Sequence, residues 1–365
     1  MNASGPNAAP VLIMAGGTGG HIFPGLAVAD ALRALDVPVL WLGAADGLEK
    51  RLVTEHRIEL ETVPVSGLRG KDLPARIAAP WMLCRALYAS LRVLRRARPR
   101  SVLSLGGYVA GPGGIAAWLT SRPLLVHEQN RVPGFTNRML SHVAKRVLAG
   151  FADAFPAKAN AEWTGNPVRT EIAAVSAPAE RFAGRNDEHA HLLVLGGSLG
   201  ARALNQRLPN ALALIPEQRR PRVLHQCGAA HVEATRAAYA RAQVDARVEP
   251  FIADMADAYA WADLAVCRAG ALTLAELAAA GLGAILIPFP YAVDDHQTRN
   301  AEGFVSAGAA QLIQERDLDA AKLAGLLERL LRDRAQLLAM ANAARALAKP
   351  DAAATIAQRC LEAAV

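Results

Sequence analysis

The 365-residue sequence has few aromatic residues, four cysteines and little that suggests a membrane span. Phe, Trp and Tyr make up 5% of the chain although 52% is hydrophobic, so helices rich in small residues are expected to pack on sheets. The cysteines form no CxxC pair, which argues against structural zinc and for a reducing compartment. Residues 101–121 carry no charge, but their glycines and Pro112 predict a buried strand and a glycine loop.

Several motifs are also missing, and each absence excludes a class of protein. There is no GxGxxG fingerprint of dinucleotide-binding oxidoreductases, and no glycine loop continues into the Lys-Ser/Thr of a P-loop. His127-Glu128 is not a zinc-protease motif, because Arg131 occupies the position of the second histidine. No Asp-x-Asp pair directly follows a predicted strand, so no metal cofactor is expected. Residues 1–10 lack the basic and apolar regions of a signal peptide.

The net charge of +7 is concentrated in one segment. Residues 69–100 contain nine basic side chains and a single acid, Asp72, which accounts for essentially the whole excess. A basic protein suggests a nucleic-acid partner, but aromatic residues do not interleave with the arginines of residues 92–100. We therefore expect no nucleic-acid binding.

One theme, a buried strand followed by a glycine loop and a helix, occurs in each half of the chain. Residues 11–14 lead into the loop 15–21 and a predicted helix 23–35, while residues 192–195 lead into the loop 196–200 and a helix 201–215. This arrangement is typical of phosphate binding, although tight packing alone also explains it. Further strands alternate with helical patterns, so we predict an α/β fold with two Rossmann-like, doubly wound parallel-sheet domains facing across a cleft.

The predicted domains are residues 1–166, joined by a C-terminal helix at 350–365, and residues 167–349. A looser pattern at residues 173–190 indicates a linker. His189 lies in this stretch and His191 directly follows it, and both are expected to be solvated. Residues 318–348 and 352–364 are predicted as two helices separated by Pro350, and the second helix is expected to brace the first domain.

Residues 267–302 concentrate polar side chains beside a predicted strand end. The helix in this stretch is expected to begin near Ala271, and the unpaired amides of a helix N-terminus bind anions. Glu276 has two interpretations. Residues 273–276 match a capping box, in which the glutamate holds a backbone amide, but a carboxylate also accepts hydrogen bonds from a ribose diol.

Six blocks of the sequence resemble glycosyltransferase family 28, whose members have the two-domain GT-B fold. The blocks are residues 16–24, 106–108, 127–130, 165–169, 196–202 and 268–300. They follow the family's order over nearly the whole chain and match its peptidoglycan N-acetylglucosaminyltransferases. Some members carry Gln-Gln where this chain has His296-Gln297, so Gln297 is the residue carried over.

The resemblance implies transfer of N-acetylglucosamine from UDP-N-acetylglucosamine to the C4 hydroxyl of the N-acetylmuramoyl sugar of lipid I. The reaction inverts the anomeric carbon and yields lipid II with a β-1,4 bond. UDP would bind in the C-terminal domain, as part of a donor substrate and not of a cofactor. The resemblance places the enzyme in peptidoglycan synthesis, with consequences for cell shape and division.

The resemblance also implies roles for particular residues. His21 is the candidate base or acceptor-side partner, because imidazole titrates near neutral pH, and a capping or structural role stays open. Arg169 and the amides after Gly197 would stabilise the diphosphate, although Arg169 also suits an interdomain salt bridge. Ile252 would flank the uracil. The residues implied in UDP-N-acetylglucosamine binding are Thr18, Gly19, Gly20, Asn130, Arg169, Gly197, Ser198, Ile252, Ala271, Leu272, Thr273, Leu274, Ala275, Glu276 and Gln297.

A lipid-linked acceptor implies contact with a membrane surface. The expected contacts combine basic and apolar groups that suit an anionic interface, and they are Lys71, Leu73, Arg76, Ile77, Trp81 and Arg85. Most apolar groups of residues 83–94 are expected to pack on the sheet instead. The implied partners are UDP-N-acetylglucosamine, lipid I, anionic phospholipid and other proteins of cell-wall synthesis and division. The implied location is peripheral, on the cytoplasmic face of the bacterial inner membrane.

Two alternatives stay open. A transferase of the same superfamily could act on another lipid acceptor, and a UDP-N-acetylglucosamine 2-epimerase shares the architecture without a lipid acceptor. The basic segment and the block at residues 127–130 favour the transferase.

Overall fold

The computed structural model describes residues 9–45, 47–65, 73–185, 189–197 and 199–364. Its contacts divide the chain into two compact units, Met1–Arg169 with Lys349–Val365, and Thr170–Ala348. Arg169, which the sequence analysis assigned to the second domain, is therefore the last residue of the first segment of unit 1.

Within the described residues, unit 1 is built on a seven-stranded parallel sheet in the order β3-β2-β1-β4-β5-β6-β7. The strands are β1 Val11–Ala15, β2 Val39–Ala44, β3 Glu59–Val63, β4 Ser101–Gly106, β5 Leu124–Glu128, β6 Arg146–Ala149 and β7 Glu162–Trp163. Every residue of β1, β4 and β5 is buried, which fits the continuous apolar runs of a sheet covered on both faces. From β1 the chain adds β2 and β3 on one side of the sheet, and from β4 it adds β5, β6 and β7 on the other side. The position between β1 and β4 is therefore a switch point, which is where open α/β sheets bind ligands.

The helices of unit 1 that precede its boundary are α1 Gly19–Arg33, α2 Leu48–Glu55, α3 Leu73–Ala97, α4 Ala110–Leu119 and α5 Phe135–Leu140. Helix α1 starts four residues earlier than the sequence predicted, with Thr18 as its N-cap. Burial of Ile22 and Leu26 against the sheet outweighs the poor helix propensity of Gly19 and Gly20. His21 therefore lies in the first turn of α1.

Unit 2 contains a second parallel sheet, whose described strands follow the order β10-β9-β8-β11-β12-β13. Its elements are α6 Thr170–Ala173, α7 Pro178–Ala183, β8 His191–Leu195, α8 Arg202–Ala213, β9 Arg222–Gln226, α9 Val232–Arg241, β10 Arg247–Glu249, α10 Met255–Trp261, β11 Leu264–Cys267, α11 Ala271–Ala280, β12 Ala284–Leu286, α12 His296–Ser306, β13 Ala310–Leu312, α13 Ala320–Leu331 and α14 Arg334–Ala346. The switch point of this sheet lies between β8 and β11.

The predicted linker at residues 173–190 is wrong, because this stretch lies within unit 2 and not between the two units. It contains α7, whose Phe182 is buried in the core of unit 2, and whose Arg181 donates to the carbonyl oxygens of Ala280 (2.6 Å) and Gly281 (2.7 Å). His191 is also not solvated. It begins β8, is 5% exposed and stacks on Trp261 with ring centroids 4.5 Å apart. Arginine hydrogen bonds to distant carbonyls, which no local pattern shows, hold this segment on unit 2.

The C-terminal region forms three helices where the sequence predicted two. The break between α13 and α14 falls at Asp333, which caps α14 by accepting a hydrogen bond from Gln336 N at 2.9 Å. The last helix, α15 Ala352–Glu362, belongs to unit 1, where Ile356 and Cys360 are buried in the core. Its Arg359 forms a bidentate pair with Glu162 of β7.

Candidate functional site

Two glycine loops meet at the switch point of unit 1. A Cβ atom on Gly107 would lie 2.2 Å from the carbonyl oxygen of Gly16, and the φ of Gly107 is +85°, so both space and conformation require glycine there. The neighbouring Gly106 leaves room for the ring of His21, whose Cε1 atom would lie 3.0 Å from an added Cβ. The loops after β1 and β4 thus place an imidazole at the carboxyl edge of the sheet.

A chain of hydrogen bonds links His21 to the interior of unit 1. Its Nδ1 lies 3.0 Å from Oε1 of Gln129, and Nε2 of Gln129 lies 3.1 Å from Nδ1 of His127. Nε2 of His127 lies 2.9 Å from the carbonyl oxygen of Gly165. His127 is fully buried, and burial lowers its pKa to about 4, so this imidazole is neutral at physiological pH.

Glu128 organises the loop after β5. One carboxylate oxygen accepts hydrogen bonds from the backbone N (3.0 Å) and side-chain Nδ2 (3.2 Å) of Asn130, and the other accepts from Gly134 N (3.0 Å) and Asn137 Nδ2 (3.0 Å). Of the block at residues 127–130, three side chains are therefore buried in a structural network, and Asn130 is half-buried at its edge.

Glu49 is a site residue that the sequence analysis missed. It is buried, and its carboxylate oxygens accept hydrogen bonds from Ala44 N at 2.9 Å and from Gly17 N at 3.3 Å. The first glycine loop therefore wraps around a carboxylate. Its motif suggested that the Gly17 amide binds a phosphate, but this amide already donates to Glu49. A cavity of about 450 Å³ opens here, lined by this loop, Glu49, Met82, Arg85 and Tyr108 among others.

The other predicted residues of unit 1 lie near the same edge. Thr18 is the exposed N-cap of α1, and Gly19 and Gly20 supply amides of its first turn, which have no intrahelical acceptor. The guanidinium of Arg169 lies over the Phe23 ring of the same helix, 5.7 Å from the centroid. The structure thus brings Thr18, Gly19, Gly20, His21 and Arg169 together around α1.

The glycine loop of unit 2 follows β8 at the second switch point. Gly197 has a φ of +79° and is exposed, and an added Cβ would meet no atom within 4 Å. Gly200 has a φ of +76°, and its added Cβ would lie 2.0 Å from the carbonyl oxygen of Cys227, so this glycine fixes the turn. Ser198 lies outside the described residues.

Helix α11 begins beside this loop, after the neighbouring strand β11. Its N-cap is Gly270, which carries no side chain to occupy the first-turn amides. The capping-box interpretation of residues 273–276 is therefore wrong, because Thr273 is the third residue of the helix and not its cap. Ala271 and Leu274 are buried, while Leu272, Thr273 and Ala275 are half-buried, so the backbone amides are the groups that this turn offers to a ligand.

Glu276 is oriented by a neighbouring helix. The hydroxyl of Tyr259, a fully buried residue of α10, donates to Oε2 of Glu276 at 2.8 Å. Gln297 of α12 ties two loops, because its Oε1 accepts from Ala269 N at 3.2 Å and from Phe289 N at 2.9 Å. Any contact of Gln297 with sugar hydroxyls therefore falls to its NH₂ group. Ile252 is buried after β10, two strands from β8.

The predicted membrane contacts belong to the segment around α3. Lys71 lies outside the described residues, and Leu73, Arg76 and Ile77 belong to the first two turns of the helix. Trp81 is 69% exposed, and Arg85 is exposed beside it. The notable exposed apolar side chains extend to α4 and α5. They include Trp118, which the sequence suggested near this segment, and also Ile115, Leu119, Phe135 and Met139, which it did not.

Two absences can be stated for the part of the chain that the structure describes. It contains no group of three or more His, Cys, Asp or Glu side chains placed to hold a metal ion. None of its helices combines the length and the apolar character that crossing a membrane requires.

Two parallel α/β units, each with its polar groups at a switch point, define a glycosyltransferase of the GT-B class. The chain belongs to glycosyltransferase family 28. Residues 11–149 match the model of the family's N-terminal domain, and residues 191–356 match that of its C-terminal domain.

Relatives within this family carry a specific name. The UDP-N-acetylglucosamine–N-acetylmuramyl-(pentapeptide) pyrophosphoryl-undecaprenol N-acetylglucosamine transferase of Alkalilimnicola ehrlichii is 57% identical over 353 residues, covering 97% of this chain and 98% of that protein. The protein of the same name from Xylella fastidiosa strain M12 is 58% identical over 354 residues, covering 97% and 96%. The crystal structure of Acinetobacter baumannii MurG matches with a TM-score of 0.82 and 41% identity, covering 96% of this chain and 99% of that one.

Proposed function

We propose that this protein transfers N-acetylglucosamine from UDP-N-acetylglucosamine to the C4 hydroxyl of the N-acetylmuramoyl sugar of lipid I, with inversion, to give lipid II. The observation that carries the proposal is the 57% identity, over 97% of the chain, with a transferase named for this donor and acceptor. The polar groups at the two switch points support it, because they supply the contacts that such a reaction needs.

The donor side of the reaction belongs to unit 2. An in-line displacement at the anomeric carbon releases UDP, so negative charge develops on the diphosphate and must be stabilised. The uncapped first turn of α11 and the exposed Gly197 loop lie at the ends of adjacent strands, where amides and the helix dipole favour an anion. Ser198 completes this set in the proposal, and no divalent cation is required.

The remaining donor contacts fix the nucleoside and the sugar. Glu276, held by the Tyr259 hydroxyl, accepts hydrogen bonds from the ribose hydroxyls. Ile252 packs against the uracil, and the NH₂ group of Gln297 donates to sugar hydroxyls. Each charge-assisted hydrogen bond from a ribose hydroxyl to the Glu276 carboxylate contributes about 1.5–3 kcal/mol.

The acceptor side belongs to unit 1. His21 lies between the two glycine loops, and its Nδ1 is held by Gln129 at 3.0 Å. In the proposed mechanism the imidazole takes the proton of the C4 hydroxyl as that oxygen attacks, a step in which a general base contributes about 10²- to 10⁴-fold. Thr18, Gly19, Gly20 and Asn130, which the resemblance implies in UDP-N-acetylglucosamine binding, line the same edge of this sheet.

A lipid-linked acceptor requires a surface that reaches a bilayer. The exposed Trp81 of α3 and the exposed apolar side chains of α4 and α5 lie on helices that pack in sequence, α3 on α4 and α4 on α5. Arg85 and Arg138 add positive charge to these helices, and each basic group near an anionic surface contributes about 1 kcal/mol. We propose that this face binds anionic phospholipid, and that the protein works peripherally on the cytoplasmic face of the inner membrane, alongside other proteins of cell-wall synthesis and division.

Incubation with labelled UDP-N-acetylglucosamine and a short-chain lipid I analogue tests the proposal. Labelled disaccharide product should form at the same rate with and without EDTA. Release of a 2-epimerised sugar without acceptor, or transfer to a different lipid-linked sugar in preference, would replace the proposal with one of its alternatives. Loss of transfer in EDTA with recovery in Mg²⁺ would overturn its metal-free part.

Flotation with vesicles tests the membrane face separately. Binding should require phosphatidylglycerol and should weaken as salt is raised, because exposed charges are screened. The double variant W81S/W118S should lose flotation while keeping transfer to a soluble acceptor analogue. Flotation independent of anionic lipid would contradict the electrostatic part of this proposal.

A further inference from the structure

The chain of hydrogen bonds behind His21 ends at a backbone carbonyl, and this end fixes the direction of every bond in it. A carbonyl oxygen can only accept, so Nε2 of His127 must be the donor to Gly165 O at 2.9 Å. His127 is buried and neutral, so its Nδ1 carries no proton and must accept. The donor to it is the NH₂ group of Gln129, at 3.1 Å.

A second contact fixes the orientation of Gln129 independently. Its Nε2 also lies 3.1 Å from the backbone carbonyl oxygen of His127. Rotating the amide by half a turn would set two oxygens against each other there. The main-chain oxygen of Gln129 accepts a hydrogen bond from Asn166 Nδ2 at 2.9 Å, which anchors the residue that carries this side chain. Oε1 of Gln129 therefore faces His21.

The consequence falls on the imidazole of His21. An amide oxygen only accepts, so the nitrogen that lies 3.0 Å from it, Nδ1 of His21, must carry a hydrogen. In the neutral ring the lone pair then resides on Nε2, for which no hydrogen bond to a described residue is found. Which ring nitrogen of a histidine is protonated is set by the hydrogen bond that the other makes.

We propose that Gln129 and His127 are positioning residues that hold His21 in the Nδ1–H tautomer, so that Nε2 is the basic atom presented to the acceptor hydroxyl. This inference rests on the proposed function for its catalytic meaning, but the tautomer itself is a property of the resting protein. It gives the buried His127 and Gln129 a chemical role that packing alone does not require.

The tautomer can be read directly by NMR. Protein labelled with ¹⁵N-histidine should show His21, assigned by its loss in His21→Ala, as the Nδ1–H form in long-range ¹H–¹⁵N spectra near neutral pH. Gln129→Met keeps the length of the side chain but has neither a donor nor an acceptor, so both tautomers should appear. Thr164→Val is the matched control, because Thr164 also donates to Gly165 O, at 3.2 Å, but lies outside the relay. It should leave the His21 signal unchanged.

Steady-state kinetics distinguish a positioning role of Gln129 from a purely structural one, because only the former predicts a change in kcat and in its pH profile without a change in KM. In Gln129→Met, kcat should fall by about 10- to 100-fold, part of what a general base supplies, while the KM for UDP-N-acetylglucosamine stays within about twofold. Gln129→Glu places a carboxylate on Nδ1 and favours the imidazolium, so the acid limb of the kcat–pH profile should move up by about one pH unit or more. The titratable or charged side chains described around the two glycine loops and the first turn of α1 include His127, Glu128, Glu49, Tyr108 and Arg169, and none is altered in these variants.

Two results would overturn the relay. One is a wild-type His21 in the Nε2–H form, and the other is a Gln129→Met protein whose tautomer and kcat match the wild type. Absence of transfer by the wild-type enzyme would instead contradict the proposed function, and the NMR experiment would still decide the relay.

Discussion

The carboxylate of Glu49 should hold the first glycine loop in place, and Glu49→Gln tests this with minimal change in shape. In the folded protein the two oxygens of Glu49 accept one backbone amide each, Ala44 N at 2.9 Å and Gly17 N at 3.3 Å. Glutamine has a single oxygen, so its NH₂ group must face one of these two N–H groups. We expect the glutamine oxygen to stay on Ala44 N, which forms the shorter bond, so that the NH₂ group faces Gly17 N–H.

The expected cost follows from these contacts. One charge-assisted hydrogen bond is lost, which costs about 1.5–3 kcal/mol, and a donor then faces a donor. Gly17 is exposed and can turn to water, so we expect a loss of about 2 kcal/mol in the free energy of unfolding and a displaced loop. Because this loop leads into the first turn of α1, His21 should move with it, and kcat should fall by about tenfold or more.

Urea unfolding and steady-state transfer to a soluble acceptor analogue measure the two effects. Glu55→Gln is the matched control on the same helix, because Glu55 is exposed and its Arg51 partner lies 3.9 Å away, a pair worth less than about 0.5 kcal/mol. Calorimetric binding of UDP should be unchanged in both variants, since the Gly197 loop, the first turn of α11 and Glu276 lie in unit 2, whereas Glu49 lies in unit 1. A Glu49→Gln protein as stable and as active as Glu55→Gln would refute the role assigned to this carboxylate.

Three further predictions concern the donor side and the buried histidine. Glu276→Ala should raise the KM for UDP-N-acetylglucosamine by about 10- to 100-fold. Tyr259→Phe should raise it by only about two- to tenfold, because it removes the hydroxyl that orients the Glu276 carboxylate and leaves the carboxylate in place. Equal effects in initial-rate kinetics would contradict this order. Gly200→Ala should prevent stable folding, as circular dichroism can show, because its Cβ would lie 2.0 Å from a carbonyl oxygen. Gly197→Ala should fold at a cost of about 1–2 kcal/mol in the free energy of unfolding, and calorimetry should show weaker UDP binding. Burial lowers the pKa of His127 from 6.5 to about 4, so between these pH values the unfolded chain binds a proton that the folded protein does not. The free energy of unfolding should therefore fall by about 3 kcal/mol as the pH drops from about 6.5 to 4. Urea midpoints measured across that range should show a smaller pH dependence in His127→Gln.

The sheets could be predicted from the sequence because their signals are local. Each buried parallel strand is a short apolar run, and each is followed by a glycine loop or a helical pattern within a few residues. The recurrence of strand, loop and helix at residues 11 and 192 predicted one glycine loop in each sheet, and the observed strand order then showed that both loops lie at switch points. Motif resemblance then supplied residues such as His21 and Glu276, whose type and spacing the family shares.

Helix boundaries and isolated polar residues were harder to predict. The early start of α1 went against the propensity of Gly19 and Gly20, because burial of Ile22 and Leu26 decides it. The capping box suggested for residues 273–276 was wrong because the helix begins at Ala271, after Gly270. His191 lay next to a charged, loop-like stretch, yet it is a buried residue of β8.

The sequence by itself determined two parallel α/β sheets, the loops at their carboxyl edges and the family of the chain, because these depend on short stretches of residues. Only the tertiary structure decided which partners surround the polar side chains. Glu49 meets Gly17 across 32 positions, His21 meets Gln129 across 108, and the His191 amide meets Asp263 across 72. Such contacts form when the packed sheets bring distant strand ends to one edge, and no local pattern in the chain encodes them.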